Sequence, residues 1–404
     1  MLRSHARVAV LLLIVTLFNG IGMSGAYASP ISDLLQQVGA MDQKNEMSSS
    51  GGFKDLLLGV LFGNFLNRIL NFSTDALPAG DNSRSQTTSK EVIGFYAENW
   101  SNDTAALNSV NQYGDQIQTL SPFWGTINAD GSIEEKDSNN REAVMRYARE
   151  HHVKVSVLLN NAKGETGISP VHQLLNNEQR RINAVANIEE YLKNNGFSGV
   201  NIDFEMVSPE DRDNLTLFMK ELASRLRPAG YTVAISVFPK SDETTNDVAI
   251  AYDYQNLAKY VDQVALMTYD NHGEWSGPGP IADIRWVERN LKYALQFIPK
   301  NKLYLGIPGY GYDWSVSGVT TVHYKDVVET LAKYGSSLQW EDQAKVPYFT
   351  YVSAGVEHQV WFENSSSLAY KLDLVNKYDL KGVALWRLGQ EDPAYWQVLR
   401  DKLR

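Results

Sequence analysis

The sequence predicts an α/β protein whose main domain is a (β/α)8 TIM barrel. From residue 92 onward, eight short apolar runs alternate with helical patterns at the spacing of strand-helix units. Polar or aromatic residues stand where several of these runs end, which is typical of the carboxyl-end face of a parallel barrel. The alternative is an open doubly wound sheet, but the sequence lacks the glycine-rich phosphate loop that such sheets often carry.

Helical patterns fall between most of the candidate strands, as strand-helix units require. The eight candidate strands lie at 92–96, 119–124, 154–159, 199–204, 232–238, 263–269, 302–308 and 382–387. The clearest helix between them lies at 209–226, where apolar residues repeat at helical spacing, acids crowd the first turn and Ser208 is able to cap the N-terminus.

A long gap between the seventh and eighth candidate strands breaks the rhythm of the barrel. Within it, residues 346–352 and 358–362 have the composition of strands, and residues 366–378 have the pattern of a helix. We therefore predict a small α+β insertion at about 312–380, which forms one wall of a groove.

The first 28 residues have the features of a secretory signal peptide. Arg3 and Arg7 precede an apolar run at 8–18, and a small-x-small cleavage pattern stands at 26–28. The alternative is an uncleaved membrane anchor, but the apolar run is shorter than the roughly 20 residues of a spanning helix. We predict a secreted or extracytoplasmic protein, with the cell wall and the spore envelope as candidate locations.

Residues 29–90 form a segment of different composition. An apolar stretch at 53–72, interrupted by glycine and polar residues, has the pattern of an amphipathic helix. It is suited to a membrane surface or the cell wall, and equally to packing against the main domain. Residues 73–90 are rich in Ser, Thr and Asn and resemble a linker, so we expect the folded domain to span 91–404.

The overall composition excludes several classes of protein. With 43% hydrophobic and 21% charged residues, the chain is typical of a soluble globular protein, and its net charge of −10 argues against nucleic-acid binding. It has no cysteine, which excludes disulfides and thiolate metal sites. His272 has no clustered partner in the sequence, so we predict no metal and no cofactor.

The segment at 199–205 is the most informative part of the chain. Asn201, Asp203 and Glu205 occupy alternate positions of an otherwise apolar strand, so they share one face and the apolar residues share the other. The strand spacing sets the two carboxylates roughly 6 to 7 Å apart. Since ionisable groups are costly to bury without a partner, this pattern favours a functional site over a packing accident.

These residues carry a resemblance to a known family. The region 91–404 resembles glycoside hydrolase family 18, which is chitinase-like, and more narrowly its bacterial branch of spore-germination and peptidoglycan N-acetylglucosaminidases. The family's fourth-strand signature, Asp-x-x-Asp-x-Asp-x-Glu, aligns with Ser198, Asn201, Asp203 and Glu205, so two of its four acids are replaced. The retained acids are the pair that the family uses for chemistry.

Three further motifs agree with the family in the same order along the chain. They are Met267-Thr268-Tyr269-Asp270, which matches the sixth-strand Met-x-Tyr-Asp, then Pro278-Gly279-Pro280, and Trp386 on the eighth strand. The resemblance covers about three quarters of the chain and implies a (β/α)8 fold.

The resemblance implies substrate-assisted, retaining hydrolysis of β-1,4 bonds next to N-acetylglucosamine. Glu205 would protonate the glycosidic oxygen while the substrate's own acetamido carbonyl attacks the anomeric carbon. Asp203 would hold the acetamido N–H, and Tyr269 would contact the acetamido oxygen. These three are the predicted catalytic residues.

The predicted substrate-binding residues are Asn201, Tyr96, Met267, Asp270, Trp386 and Trp124. The resemblance assigns polar substrate contacts to Asp270 and the floor beneath the distorted sugar to Trp386. Asn201 is expected to donate a hydrogen bond to Asp203 and to alter the pH profile relative to enzymes with the full acid set. Tyr96 and Trp124 are weaker candidates for the same groove.

Two questions stay open at the level of sequence. The partner is a polysaccharide that contains N-acetylglucosamine, and both chitin and peptidoglycan meet that description. The alternative function is a carbohydrate-binding protein that keeps the barrel without catalysis, although the presence of Glu205 argues against it. In the insertion, Trp314, Tyr348, Trp361 and Glu363 either line the groove or form the core of that lobe.

Overall fold

A computed structural model describes residues 90–100, 102–163, 169–244 and 247–403. The predicted signal peptide at 1–28 and the amphipathic stretch at 53–72 lie outside the described residues. The described chain forms a closed barrel of eight parallel strands surrounded by helices, so the predicted fold class is confirmed. Among these residues, no helix combines the length and the apolar character needed to cross a membrane.

The strands and helices alternate along most of the chain. The strands are β1 (Glu91–Tyr96), β2 (Thr119–Ile127), β3 (Ile133–Glu135), β4 (Lys154–Asn161), β5 (Gly199–Asp203), β6 (Thr232–Val237), β7 (Gln263–Leu266), β8 (Leu303–Pro308), β9 (Tyr310–Ser315), β10 (Gly318–His323), β11 (Gln339–Glu341), β12 (Val346–Ser353), β13 (Val356–Phe362) and β14 (Gly382–Trp386). The helices are α1 (Ala105–Tyr113), α2 (Arg141–Glu150), α3 (Pro170–Leu175), α4 (Glu178–Asn195), α5 (Arg212–Leu226), α6 (Asp247–Ile250), α7 (Tyr254–Tyr260), α8 (Ile284–Ala294), α9 (Tyr324–Tyr334), α10 (Ser365–Lys377) and α11 (Tyr395–Lys402).

The barrel closes through parallel pairing of its first strand with both the second and the last. The neighbouring strands follow the order β1, β14, β8, β7, β6, β5, β4 and β2, and β2 pairs again with β1. Val92 is in register with Val383, and Ile93 with Thr119. Gly382 is required at this closure, because a Cβ there would overlap the backbone carbonyl of Glu91.

Side chains from the strands form two separate layers. Outward-facing residues pack against the helices in the main core, and α5 contributes its predicted apolar face to this layer. Inward-facing residues fill a smaller cluster in the lumen: Ile93, Phe95, Leu158, Ala265, Tyr304 and Ala384. The predicted cap at Ser208 is not made, because a short 3-10 turn at Pro209–Asp211 precedes α5 and the Ser208 hydroxyl makes no cap hydrogen bond.

A small α+β lobe is inserted between β8 and β14, as predicted. Its antiparallel sheet has the order β10, β9, β13, β12, β11, and the predicted strands in this region correspond to β12 and β13. The apolar side chains of α9 cluster with one face of this sheet. The predicted boundary near residue 380 needs correction: α10 packs into the barrel's helix layer, so the lobe ends at Phe362.

A buried ion pair joins the end of the lobe to the barrel. Glu363 directly follows β13, and its backbone N–H donates to the Tyr310 carbonyl at 3.1 Å. The Nζ of Lys371 on α10 donates to both carboxylate oxygens of Glu363, at 3.0 and 2.8 Å, and neither side chain is more than 1% exposed. Because both charges have left water, each depends on the other for its solvation.

We expect Lys371→Met to destabilise the fold by about 3–5 kcal/mol, because it leaves the Glu363 carboxyl buried without its cation. The measurement is urea-induced unfolding followed by circular dichroism. The matched control is the double variant Glu363→Met/Lys371→Met, which removes both charges and should recover most of the lost stability. If the single variant were as stable as the wild type, the ion pair would not be holding the junction.

Candidate active site

The polar face of β5 opens into the carboxyl end of the barrel. Val200 and Ile202 face the helix layer and are fully buried there. Asn201 and Asp203 occupy the opposite face and are also buried, while the Glu205 side chain lies beyond the strand end and is exposed at the barrel mouth. The alternation predicted from the sequence is thus present in the structure.

Ser236 on β6 joins the first two polar residues of this face. The Nδ2 of Asn201 donates to Ser236 Oγ at 3.0 Å, and the Ser236 hydroxyl lies 3.4 Å from Asn201 Oδ1 in return. The expectation that Asn201 donates directly to Asp203 therefore needs correction. The amide instead binds the Ser236 hydroxyl, and that hydroxyl lowers the pKa of the Asp203 carboxyl.

Asp203 has a strongly perturbed acidity. Burial raises its pKa to about 8, and the charge of Glu205 adds to the rise, while the hydrogen bond from Ser236 opposes it. Because two neighbouring carboxyls disfavour simultaneous ionisation, they titrate as a pair rather than as independent groups. We infer that the pair retains a proton near neutral pH.

Glu205 reaches solvent, yet the rim of the barrel shields part of its carboxyl. This burial raises the pKa of Glu205, the positive charge of Lys163 lowers it, and the charge of Asp270 raises it. A carboxyl group with a raised pKa is suited to donate a proton near neutral pH.

The backbone of Glu205 is held by Asn161, the last residue of β4. The Glu205 N–H donates to Asn161 Oδ1 at 2.8 Å, and Asn161 Nδ2 donates to the Glu205 carbonyl at 3.2 Å. The preceding residue, Asn160, is in register with Asp203. Sequence reasoning missed both asparagines, although two amides at the end of an apolar strand were a visible signal.

Tyr269 lies among the acids of the site. Burial raises its pKa well above the usual range, and the charges of Asp203, Asp270 and Glu205 add to this effect in that order. Gly306 on β8 makes room for the ring, because a Cβ at that position would lie 2.9 Å from Tyr269 Cε1. The phenol therefore stays protonated and is able to donate a hydrogen bond.

Met267 and Asp270 flank Tyr269 in different environments. Met267 is buried, and its Cα lies 3.1 Å from the same notional Cβ at Gly306. Asp270 accepts hydrogen bonds from the hydroxyls of Tyr310 and Tyr312 on β9, the latter at 2.9 Å. Burial raises the pKa of Asp270, and these two hydrogen bonds oppose the rise. Because Tyr310 and Tyr312 belong to β9, the same bonds connect Asp270 of the barrel to the inserted lobe.

Trp386 stands where the lumen meets the lobe. Its ring packs edge-on against Phe95, with ring centroids 5.4 Å apart, and it also contacts the aromatic cluster of the lobe. The side chain is partly exposed at this junction. The peptide bond between Trp386 and Arg387 is cis. This position is compatible with the predicted floor of the groove, and that role stays a prediction.

The structure does not bring Tyr96 and Trp124 into this site. Both are buried in the layer between the barrel and its helices, where their rings lie 6.0 Å apart. The residues that face the lumen at these strand ends are their neighbours Phe95 and Phe123. The prediction chose the correct ends of β1 and β2, but it was wrong about the face, because the alternation puts adjacent residues on opposite sides.

The aromatic residues of the insertion are mostly its own core. Of the four residues predicted to line the groove or form this core, Trp314, Trp361 and Glu363 are buried, and Tyr348 is partly exposed. Two tryptophans that sequence reasoning missed are instead exposed on loops at the barrel mouth: Trp100, which follows β1 and is 63% exposed, and Trp275, which follows β7 and is 69% exposed.

The described part of the chain holds no group of three or more His, Asp or Glu residues placed to bind a metal ion. His272 contacts its own loop, with Nδ1 3.1 Å from the Gly277 carbonyl. The prediction that the protein uses no metal and no cofactor stays a prediction.

A closed (β/α)8 barrel with two neighbouring acids at its carboxyl end is an arrangement that glycoside hydrolases use. Residues 91–391 match the model of Glycosyl hydrolases family 18, and the chain belongs to that family. It is similar to the putative sporulation-specific glycosylase YdhD of Bacillus subtilis, with 30% identity over 325 residues, which are 78% of this chain and 76% of that protein.

Two solved structures show the same likeness. The spore cortex-lytic enzyme SleL of Bacillus megaterium is 26% identical with a TM-score of 0.72, over 81% of this chain and 76% of the other. A chitinase from Chromobacterium violaceum is 28% identical with a TM-score of 0.72, over 78% of this chain and 99% of the other. The chain is therefore similar to both a cortex-lytic enzyme and a chitinase.

We expect Lys163→Ala to raise the pKa of Glu205, because it removes a positive charge that favours the ionised carboxyl. The measurement is a carbon-13 NMR titration of protein labelled at the glutamate carboxyl carbons, with Glu205→Gln to assign the signal. Lys325→Ala on α9 is the control, since that lysine lies near Glu329 on the lobe surface. A fall in the pKa of Glu205, or the same change in the control, would contradict this prediction.

Proposed function

We propose that this protein hydrolyses β-1,4 bonds next to N-acetylglucosamine in peptidoglycan, with retention of configuration and with the substrate's acetamido group as nucleophile. The main support for this proposal is that Asp203 and Glu205 lie near each other at the carboxyl end of β5, both with raised pKa values. Tyr269 lies beside them and stays protonated. The likeness to sporulation and cortex-lytic proteins favours peptidoglycan, while the likeness to chitinases keeps chitin as the second substrate.

In the first step, Glu205 donates its proton to the glycosidic oxygen. The acetamido carbonyl oxygen of the substrate attacks the anomeric carbon, the bond to the leaving sugar breaks, and a cyclic oxazolinium ion forms. Burial and the charge of Asp270 favour the protonated state of Glu205 that this step needs. The raised pKa thus supports the role of general acid.

Asp203 and Tyr269 act on the acetamido group itself. Asp203 accepts the acetamido N–H, which aligns the carbonyl for attack, and its carboxylate offsets the charge of the oxazolinium ion. The raised pKa of Tyr269 keeps its hydroxyl protonated, so the hydroxyl donates a hydrogen bond to the acetamido oxygen. In the second step, Glu205 takes a proton from water, which opens the oxazolinium ring with net retention.

The aromatic residues around the site are suited to sugar rings. Trp386 would lie beneath the distorted sugar at the reacting centre, and the exposed indoles of Trp100 and Trp275 would contact neighbouring sugars of the chain. An indole face is apolar and matches the apolar face of a pyranose ring. Asp270 is partly occupied by the tyrosines of β9, so its substrate contact would use the remaining oxygen.

We also propose that the protein is exported by its first 28 residues and that residues 53–72 retain it at the cell wall or membrane surface. The support is the sequence alone. Deleting residues 29–90 behind an intact leader should move the enzyme from the envelope fraction to the medium. Unchanged retention in the envelope would count against the second part of this proposal.

We expect Glu205→Gln to reduce hydrolysis by about 10²–10⁴-fold, because a carboxamide cannot deliver the proton that the leaving sugar needs. Wild type and variant are incubated with purified peptidoglycan and with chitin oligosaccharides. The products are reduced with borohydride and identified by mass spectrometry. Reduced N-acetylglucosamine ends from peptidoglycan are the expected result.

The other outcomes of this experiment are equally informative. Cleavage of chitin oligosaccharides alone would make the protein a chitinase. The absence of any Glu205-dependent product from either polymer would contradict the proposal and favour a carbohydrate-binding role. Under that role, Glu205→Gln would leave ligand binding unchanged.

A further inference from the structure

We propose that Asn161 is a positioning residue for the general acid, which it holds by a reciprocal pair of hydrogen bonds to the backbone of Glu205. This inference rests on the proposed function of Glu205. The amide of Asn161 acts through Glu205, because its two hydrogen bonds go to the backbone N–H and carbonyl of that residue.

The need for such a residue follows from where the sheet ends. The ladder between β4 and β5 finishes at the pair Asn160 and Asp203, and the ladder between β5 and β6 finishes at Ile202. Glu205 therefore lies two residues beyond the last paired residue of its strand. The side-chain amide of Asn161 supplies one acceptor and one donor there, as a neighbouring strand would.

The chain on the other side of Glu205 turns sharply. Met206 has a φ of 54°, in the left-handed region that residues other than glycine seldom adopt, and the residue is 66% exposed. Just before Glu205, the Phe204 carbonyl accepts a hydrogen bond from the Tyr252 hydroxyl. Glu205 thus lies between the Phe204 carbonyl, which is held by Tyr252, and the exposed turn at Met206, and Asn161 holds its backbone in place.

Packing fixes the acid only in part, because the rim of the barrel shields some of the Glu205 carboxyl and leaves the rest in solvent. The Glu205 side chain is exposed at the mouth, so the direction of its carboxyl depends on the backbone from which it extends. An error of about 1 Å in the position of a catalytic group is able to cost about 10²-fold in rate. Two hydrogen bonds from one amide, one to the N–H and one to the carbonyl of the same residue, restrain both its translation and its rotation.

Asparagine is the residue type that these two bonds require. One planar amide offers an oxygen to accept from the Glu205 N–H and an NH₂ to donate to the Glu205 carbonyl. Aspartate offers only the acceptor when it is ionised, and alanine offers neither. Comparing an aspartate with an alanine at position 161 therefore separates the contribution of the bond from the Glu205 N–H from that of the bond to the Glu205 carbonyl.

We expect Asn161→Ala to lower kcat/KM by about 10²-fold on chitin oligosaccharides or peptidoglycan fragments, but far less on a 2,4-dinitrophenyl glycoside of N-acetylglucosamine oligomers. A sugar leaving group needs the proton of Glu205, whereas dinitrophenolate departs without one. Both substrates need the acetamido group, so general damage to the site would lower both values equally. Glu205→Gln in the same assays gives the reference for a lost acid.

Asn161→Asp keeps the acceptor and places a negative charge beside Glu205. It should recover part of the loss seen with Asn161→Ala, and the alkaline limb of its pH profile should move to higher pH, because a nearby negative charge favours the protonated acid. This second variant also tests the proposal if Asn161→Ala fails to fold. The matched control is Asn187→Ala, which removes a comparable side-chain-to-backbone bond, to the Gly131 carbonyl at 2.8 Å, away from the site.

The outcomes separate this inference from the proposed function. Equal losses on both substrates, or no loss in either Asn161 variant while Glu205→Gln is inactive, would overturn the positioning role and leave the hydrolase function intact. If the wild-type chain showed no Glu205-dependent hydrolysis of any substrate, the proposed function and this inference would fall together. The selective loss with the sugar leaving group would support both.

Discussion

The structure of the site depends on how one carboxyl group, Asp203, is accommodated with little access to water. An ionised carboxylate there is costly unless hydrogen bonds or a bound proton replace its hydration. The barrel provides the Ser236 hydroxyl, whose own position is fixed by Asn201, and places Glu205 close enough to raise the pKa of Asp203 further. The raised pKa values of both carboxyls therefore favour a bound proton at the site near neutral pH.

The inserted lobe is coupled to this site as well as to the fold. At the mouth, Tyr310 and Tyr312 bind Asp270, whose charge acts on both Glu205 and Tyr269. At its other end, the lobe is joined to the barrel by the buried pair of Glu363 and Lys371. The lobe is thus attached to the barrel at two points. One of them, Asp270, also affects the pKa values of Glu205 and Tyr269.

The comparison of sequence and structure separates two kinds of prediction. The polar face of β5, the order of eight strands and the existence of the lobe were predictable. Each depends on local patterns of residues that are close together along the chain. The faces of Tyr96 and Trp124 were predicted wrongly, since an aromatic residue at a strand end suits either side of the sheet. Helix α10 was assigned to the lobe because nothing local distinguishes a lobe helix from a barrel helix.

The sequence by itself determined the strand period that puts Asp203 and Glu205 on one face, and the motifs that indicated the family. Only the tertiary structure decided which groups meet them: Ser236 and Asn161 from the neighbouring strands and the two tyrosines from β9. The physical reason is that hydrogen bonding and desolvation depend on pairing register and on contacts between distant segments. A local pattern fixes where a side chain points, whereas its acidity is set by what surrounds it.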